Sequence, residues 1–414
     1  MRLYPYQDEG VKRLGAILAL HRRAYLADAM GLGKTAQAIV ALSYYDARRV
    51  LAITPASARE NWYREWKTWG PGGGGFAAVS YAATDLRRGR IHGGDWDAVI
   101  LDEAHYAKSM RAKRTRAALT VARDAPRALL LSGTPMPNHP GELYAPFKYL
   151  WPEMLRPQFR TQTRWLNYFC QYVNTRYGPK IIGVKNGAVL RRMLNRVMVR
   201  RKLEDVALDL PPLRVTLHTL PKDAGFERAL REAGIDADKL RVALENERSA
   251  DDPSTSRARR LLGEYKAPRI GEIIAAELDD GAYQKIVVLY YHRAVGETLR
   301  KAFAPFGVVG FDGQTPSGLR QAAVDNFTND PRCRVFLAQQ TSAGEAINLQ
   351  AASEIVLVEP AWSPDANRQA VKRVHRIGSK HPVRARIFGV AGTIDAAVMG
   401  TIAQKVGHQK EVGL

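Results

Sequence analysis

Near the N-terminus, Leu26-Ala27-Asp28-Ala29-Met30-Gly31-Leu32-Gly33-Lys34-Thr35 sets two glycines, a lysine and a hydroxyl just ahead of a helical pattern that runs through Leu42. Gly31 and Gly33 let backbone NH groups approach a phosphate closely, and the helix start that follows adds its positive end. Lys34 brings a cation and Thr35 a hydroxyl ligand for magnesium, so the chemistry is that of a triphosphate-binding loop. Asp28 stands where the general pattern begins with glycine, and it is counted with Gly31, Gly33, Lys34 and Thr35 among the residues expected on the nucleotide. Farther along, Ala98-Val99-Ile100-Leu101-Asp102-Glu103-Ala104-His105 reads as an apolar strand that ends in two adjacent carboxylates. Neighbouring side chains at a strand end diverge, which lets Asp102 orient hydrated magnesium while Glu103 polarises an attacking water. A third stretch, Gln369 to Gly378, places Arg373 and Arg376 three residues apart and so on one helical face. Two readings of that pair stay open: arginines that reach phosphates as charge develops, or a basic helix that faces a polyanion.

Groups of this kind have to stand at the ends of rigid elements. Short runs rich in Val, Ile and Leu occur at 50–54, 98–102, 128–132, 285–290, 334–338 and 355–359, with helical stretches between them. The alternation predicts an α/β fold of parallel sheets with crossover helices in both halves, its functional groups at the carboxyl ends of strands. A chain of 414 residues exceeds what one core usually serves, so two domains are expected. The first is placed over residues 1–205, including a helical, aromatic-rich insertion at about 138–200. A linker and brace over 206–265 contains Leu210-Pro211-Pro212 and a polar, loop-like stretch at 249–256, and the second domain covers 266–414.

Hydrophobic residues at 46% and charged residues at 25% match ordinary soluble composition, and no apolar run reaches the length of a membrane span. The run Leu14 to Leu20 reads as part of an amphipathic first helix rather than a signal peptide. Cys170 and Cys333 lie far apart without metal-ligand spacing, which argues against a disulfide framework or zinc site and fits a reducing compartment: cytoplasm or nucleoid, or a nucleus. Lys and Arg total 62 against 41 acidic residues, a net charge of +21, with local clusters such as Arg191, Arg192, Arg196, Arg200, Arg201 and Lys202. Such an excess favours phosphate backbones, so the expected partner is nucleic acid.

Together with Leu131-Ser132-Gly133-Thr134-Pro135, the Asp-Glu-Ala-His string resembles motifs II and III of superfamily two helicases, and the resemblance extends over essentially the whole chain. Pro55-Ala56-Ser57 with Asn61, Trp62 and Glu65 resembles motif Ia of the Swi/Snf branch. Thr134 to Asn138 with Glu142-Leu143 resembles its extended motif III, and Gln369 to Gly378 its motif VI. Val199 to Asp205 and Leu210-Pro211-Pro212 resemble the family's brace, and Trp362-Ser363-Pro364 adds a further match. His139 to Tyr144 and the short second lobe are closest to the compact annealing-helicase-like branch. This sequence departs from the pattern at Ala29, at Ser379 and in a partial motif V, Ala343 to Asn348, which puts coupling rather than the ATP site in question.

The resemblance implies two tandem RecA-like lobes, with ATP and Mg2+ as cofactors. It makes Gln369, Arg373 and Arg376 catalytic beside Glu103, and it gives Gln7 either to the adenine or to a solvated turn. His105, Ser132 and Thr134 become coupling residues between the nucleotide site and the other lobe, and Ser57, Asn61, Trp62 and Thr341 nucleic-acid contacts; Trp66 and Trp69 are expected to pack against the first lobe. The activity implied is that of a DNA-dependent ATPase, a monomeric translocase on double-stranded or branched DNA with no membrane and no visible protein partner. No insertion reads as a separating wedge, which points to translocation or branch remodelling rather than processive unwinding. Two other readings are an RNA helicase, and a nucleic-acid-binding regulator that uses ATP as a switch with little turnover.

Overall fold

The protein is described by a computed structural model over residues 2–83, 96–155, 157–175, 178–206, 211–221, 223–232, 253–340, 347–361, 364–376, 379, 381–390 and 393. The chain divides into two compact units, residues 1–208 and 209–411.

In the first unit, helix α1 (Pro5–His21) leads into β1 (Arg23–Leu26), and α2 (Lys34–Ser43) returns to β2 (Arg49–Thr54). Then follow α3 (Arg59–Trp69), β3 (Gly75–Ser80), β4 (Ala98–Asp102), α4 (Lys113–Asp124) and β5 (Arg127–Leu131). The six-stranded sheet has the order β3-β2-β4-β5-β1-β8, where β8 is Met198–Val199, and every pairing is parallel. Strands such as Ala98-Val99-Ile100-Leu101 are buried throughout because helices cover both faces of the sheet, which is why they read as continuous apolar runs. The register decides the site. Leu131 lies opposite both Leu26 and Asp102, so the chain leaves β1, β4 and β5 along one carboxyl edge.

The stretch 138–200 is not wholly helical, as the sequence reading had it. Between α5 (Tyr144–Leu150), α6 (Gln162–Phe169) and α7 (Gly187–Val197) stands an antiparallel pair, β6 (Cys170–Thr175) and β7 (Gly178–Val184). Neither Cys170-Gln171-Tyr172-Val173-Asn174-Thr175 nor Lys180-Ile181-Ile182-Gly183-Val184 alternates regularly between apolar and polar residues, so the period-two signal of a strand is lacking. Trp66 stacks on Phe76 at 4.8 Å, so that side chain packs on its own lobe as expected, and Trp69 is half-buried.

The second unit repeats the plan with a sheet of order β11-β12-β10-β13-β14-β9, again parallel. Its strands are β9 (Leu213–Leu220), β10 (Ile286–Tyr290), β11 (Val308–Val309), β12 (Val335–Gln339), β13 (Glu354–Leu357) and β14 (Val383–Val390), and its helices include α8 (Pro253–Asp279), α9 (Arg293–Phe303), α10 (Ser317–Asn329) and α11 (Pro364–Val371). The expected linker and brace at 206–265 needs correction. Residues 213–220 form an edge strand of this sheet, paired along their length with β14, and residues 253–265 already belong to α8. Helix α8 begins inside the stretch read as loop-like because its burial of Ala258 and Leu262 outweighs the polar run before them.

Candidate nucleotide-binding site

The loop between β1 and α2 turns through left-handed backbone at Gly31 (φ 89°) and Gly33 (φ 68°), a region that a side chain disfavours. A Cβ at Gly33 would also collide with the Gln7 amide. Gln7 is therefore not a solvated turn residue. Its Oε1 accepts from the Tyr4 N–H at 3.0 Å and its Nε2 donates to the Leu32 carbonyl at 3.3 Å, which pins the start of α1 to the phosphate loop. Lys34 Nζ donates to the carbonyls of Asp28 (3.0 Å) and Ala29 (3.3 Å), and Thr35 sits in the first turn of α2 beside it.

Asp28 differs from its expected place on the nucleotide. Its side chain is fully buried, and its Oδ1 accepts from Arg201 Nε at 3.1 Å while Oδ2 pairs with Arg201 Nη2. Gln37 closes the cluster: its Nε2 donates to Asp28 Oδ2 (3.2 Å) and to the Leu32 carbonyl (3.0 Å), and its Oε1 accepts from Arg201 Nη2 (2.5 Å). Arg201 also reaches the Tyr6 carbonyl, and its own carbonyl accepts from the Ala29 N–H at 2.9 Å. One buried guanidinium thus ties the loop to α1, to α2 and to the segment that follows β8. Sequence reading counted Arg201 in a cation cluster and in the brace and passed over Gln37, although a lone polar residue in the apolar stretch Ala36 to Leu42 is a signal of a buried polar contact.

Asp102 closes β4 at the same edge. Its Oδ2 accepts from Trp62 Nε1 at 2.8 Å and Thr54 Oγ1 at 3.2 Å, its Oδ1 from the Glu103 N–H at 2.9 Å, and its carbonyl from the Tyr81 hydroxyl at 2.8 Å. Burial, reinforced by the adjoining Glu103 charge, pushes its carboxyl up to about 6, although the Trp62 hydrogen bond and the Lys34 charge oppose that rise. Oδ2 spends both lone-pair directions on Trp62 and Thr54, whereas Oδ1 keeps one beyond the bond it accepts from Glu103. With the Thr35 hydroxyl, Asp102 forms a hard oxygen donor set of the kind magnesium takes, so these residues fit that ion.

The position of Trp62 corrects the expectation that it borders DNA: the ring is 1% exposed and its N–H is spent on Asp102. Ser57 and Asn61 are half-buried at the N-terminal end of α3, and Thr341 lies outside the described residues, as do Trp362, Ser363 and motif V at 343–346.

Glu103 adopts left-handed backbone (φ 46°), which turns its side chain away from that of Asp102. Its Oε2 lies 3.3 Å from His105 Nδ1, and that nitrogen lies 3.1 Å from Ser132 Oγ, which accepts from the Thr134 N–H at 3.1 Å. The three residues expected to couple are thereby joined within the first lobe, in contact with the carboxylate expected to polarise water.

In the second unit, α11 ends at Val371, so Arg373 and Arg376 do not share a helical face as expected; they sit on the turn that follows, while Gln369 is in the helix. Tighter bonds interrupt the helical ladder there, Arg373 N–H to the Ala370 carbonyl (3.1 Å) and Val374 N–H to the Val371 carbonyl (3.1 Å), between the helical bonds of Lys372 to Arg368 (3.0 Å) and His375 to Val371 (3.0 Å). Ser379, the departure noted after motif VI, holds this turn. Its Oγ donates to the Val374 carbonyl at 2.9 Å and accepts from the Arg376 N–H at 3.2 Å. The Arg373 carbonyl accepts from the Leu349 N–H at 2.9 Å, and His375 Nε2 lies 2.7 Å from the Pro211 carbonyl. Glu359, missed in the sequence, accepts from the N–H groups of Tyr291 (2.8 Å) and His292 (2.9 Å) and shapes the turn after β10.

Comparison with known proteins agrees with this geometry. Residues 72–249 match the SNF2-related domain and residues 269–378 the helicase conserved C-terminal domain, the latter including both arginines. The chain belongs to the Swi/Snf type of helicase-like ATPases. Among its relatives, the SWI/SNF-related matrix-associated actin-dependent regulator of chromatin subfamily A-like protein 1 homolog of Caenorhabditis elegans is 29% identical over 442 residues, covering 100% of this chain and 62% of that protein. The human DNA annealing helicase and endonuclease ZRANB3 is 28% identical over 443 residues, covering 98% of this chain and 40% of that one. The chain therefore spans about two-fifths to three-fifths of the length of these relatives. A solved structure, the Sulfolobus solfataricus SWI2/SNF2 ATPase core in complex with dsDNA, aligns over 100% of this chain and 93% of its own at 21% identity and a TM-score of 0.47. Among the described residues no helix is long and apolar enough to cross a membrane.

Proposed function

We propose that this chain is a DNA-dependent ATPase that translocates along, or remodels branches in, double-stranded DNA as a monomer. The observation that carries the reading is the meeting, on one sheet edge, of a phosphate loop bearing Lys34 with an Asp102–Glu103 pair whose water-polarising member is wired to His105 and Ser132. Membership of the Swi/Snf type and the +21 charge supply the DNA preference.

In this reading Gly31, Gly33 and the start of α2 cradle the triphosphate, Lys34 leaves the loop carbonyls for the phosphates, and Gln7 borders the base. Asp102 and Thr35 hold the magnesium ion, which neutralises phosphate charge when bound. Glu103 orients the attacking water. Arg373 and Arg376, held ready by Ser379, meet the phosphates as charge develops, with Gln369 beside them. Ser57 and Asn61 face the DNA backbone.

Phosphate release measured with duplex, forked, four-way and single-stranded DNA and with RNA tests the proposal. Turnover stimulated most by duplex or branched DNA is expected. Greater stimulation by single-stranded RNA would replace it with an RNA helicase, and turnover no faster than in Lys34→Ala would replace it with an ATP-operated switch.

A further inference from the structure

Between the acidic pair and the body of α4, the chain reads His105-Tyr106-Ala107-Lys108-Ser109-Met110-Arg111-Ala112-Lys113-Arg114-Thr115-Arg116, with five cations and no acid. Lys108 is engaged by buried Glu142 at 2.6 Å. Arg111, Lys113, Arg114 and Arg116 are exposed, and among the described residues none of them pairs with an acidic side chain. Three of them stand in the first turn of α4, the positive end of its dipole, where a cation is disfavoured by about 0.3–1 kcal/mol. No acidic side chain in the first turn of α4 balances these charges, which leaves a concentrated positive face suited to an anionic partner.

We infer that this face of α4 is a docking surface for the phosphate backbone of duplex DNA, and that its occupancy is transmitted to Glu103 through Tyr106. The surface deepens the proposed DNA-dependent activity and rests on it. An acidic protein is the less suitable occupant, because no exposed large apolar side chain lies in this stretch to anchor one, whereas phosphate binding needs charge alone.

The connection inward is continuous. The Arg114 guanidinium lies 5.7 Å from the centre of the Tyr106 ring. Tyr106 stacks on Tyr81 (5.7 Å, 15°) and packs against His105 (5.0 Å, 40°). Tyr81 holds the Asp102 carbonyl, and His105 touches Glu103 and Ser132. A phosphate that draws Arg114 outward exchanges its cation–π contact for an ion pair. That frees the Tyr106 ring to resettle against His105, and with it the neighbour of the water-polarising carboxylate.

The test compares the triple variant Arg111→Ala/Lys113→Ala/Arg116→Ala with a charge-matched control dispersed over the first unit, Arg13→Ala/Arg22→Ala/Lys67→Ala, all exposed, by duplex DNA anisotropy titrations across a salt series. The α4 triple is expected to flatten the dependence of log K on log salt by roughly 0.9 per lost phosphate contact, two to three in all, and the control by less. An unchanged slope, or equal loss in both triples, overturns the surface while leaving the proposed function standing. A wild-type chain that does not bind duplex DNA sinks both. For the transmission, Tyr106→Leu is expected to keep duplex affinity near wild type yet lower the fold-stimulation of phosphate release by roughly two- to thirtyfold, the coupling that a packed network carries. Tyr106→Phe, which keeps the ring, is expected to restore it, and full stimulation in Tyr106→Leu removes the coupling.

Discussion

Replacement of Asp102 by Asn isolates the electrostatics of the site. In the absence of magnesium, the wild-type carboxyl titrates near 6 in the folded chain and near 3.8 when unfolded, because burial and Glu103 disfavour its charge. The folded state then holds the proton more tightly. The resulting stability is fully present below the unfolded value and is lost as pH rises through the folded one. Two units correspond to about 3 kcal/mol in all, with roughly half lost between pH 5 and 7.5. Asp102→Asn removes this dependence. It also sets an amide NH2 against a donor, the Trp62 N–H or the Glu103 N–H, at a cost of about 1–3 kcal/mol that does not vary with pH. The assay is urea unfolding of both proteins in EDTA from pH 4.5 to 7.5, followed by tryptophan fluorescence; all tryptophans but Trp362 lie in the first lobe. The stability of the wild type relative to the variant is expected to fall steadily with rising pH, and magnesium added at pH 7 to offset that fall in the wild type alone. A flat or rising difference would refute the assignment of a buried, charge-strained carboxylate.

Arg201→Ala leaves Asp28 buried without its cation and is expected to cost about 3–5 kcal/mol in unfolding experiments, with Arg201→Ala/Asp28→Asn less damaging than the sum of the single changes. Additive single effects would dismiss the cluster as the support of the phosphate loop. Glu103→Gln is expected to bind a fluorescent ATP analogue as the wild type does while multiple-turnover phosphate release disappears; retained turnover would assign the water to another base. Arg373→Ala is expected to keep nucleotide affinity at the first lobe and to lower DNA-stimulated turnover by about 10³ or more, and a stimulated rate near wild type would remove it as a finger.

Several elements were legible because local chemistry and periodicity agree. Glycines before a lysine and a helix have few uses other than a phosphate loop, and fully apolar runs that end in polar residues mark buried parallel strands. Other assignments failed where an identical local signal serves two environments. Trp62 belongs to a motif that resembles a DNA-contacting one, yet its N–H turns inward to Asp102. Arg373 and Arg376 read as helical, yet the helix ends at Val371 and the turn that carries both is held by Ser379, a contact that no helical period announces. The β6–β7 pair escaped notice because its strands lack a regular alternation, and the edge strand β9 because its short alternation sits beside stretches of turn and helix character.

Residue order alone determined which chemistry is present: a phosphate loop, an acidic strand end and a pair of arginines, in two halves of like design. Only the tertiary structure decided which charges are spent inside and which are offered outside. Arg201 is buried against Asp28, whereas Arg111, Lys113, Arg114 and Arg116 remain exposed, although all are basic residues in basic surroundings. The physical reason is that the worth of a charge depends on its desolvation and its partner. Asp28 and Arg201 are 173 positions apart in the chain and meet only because β1 and β8 pair in one register.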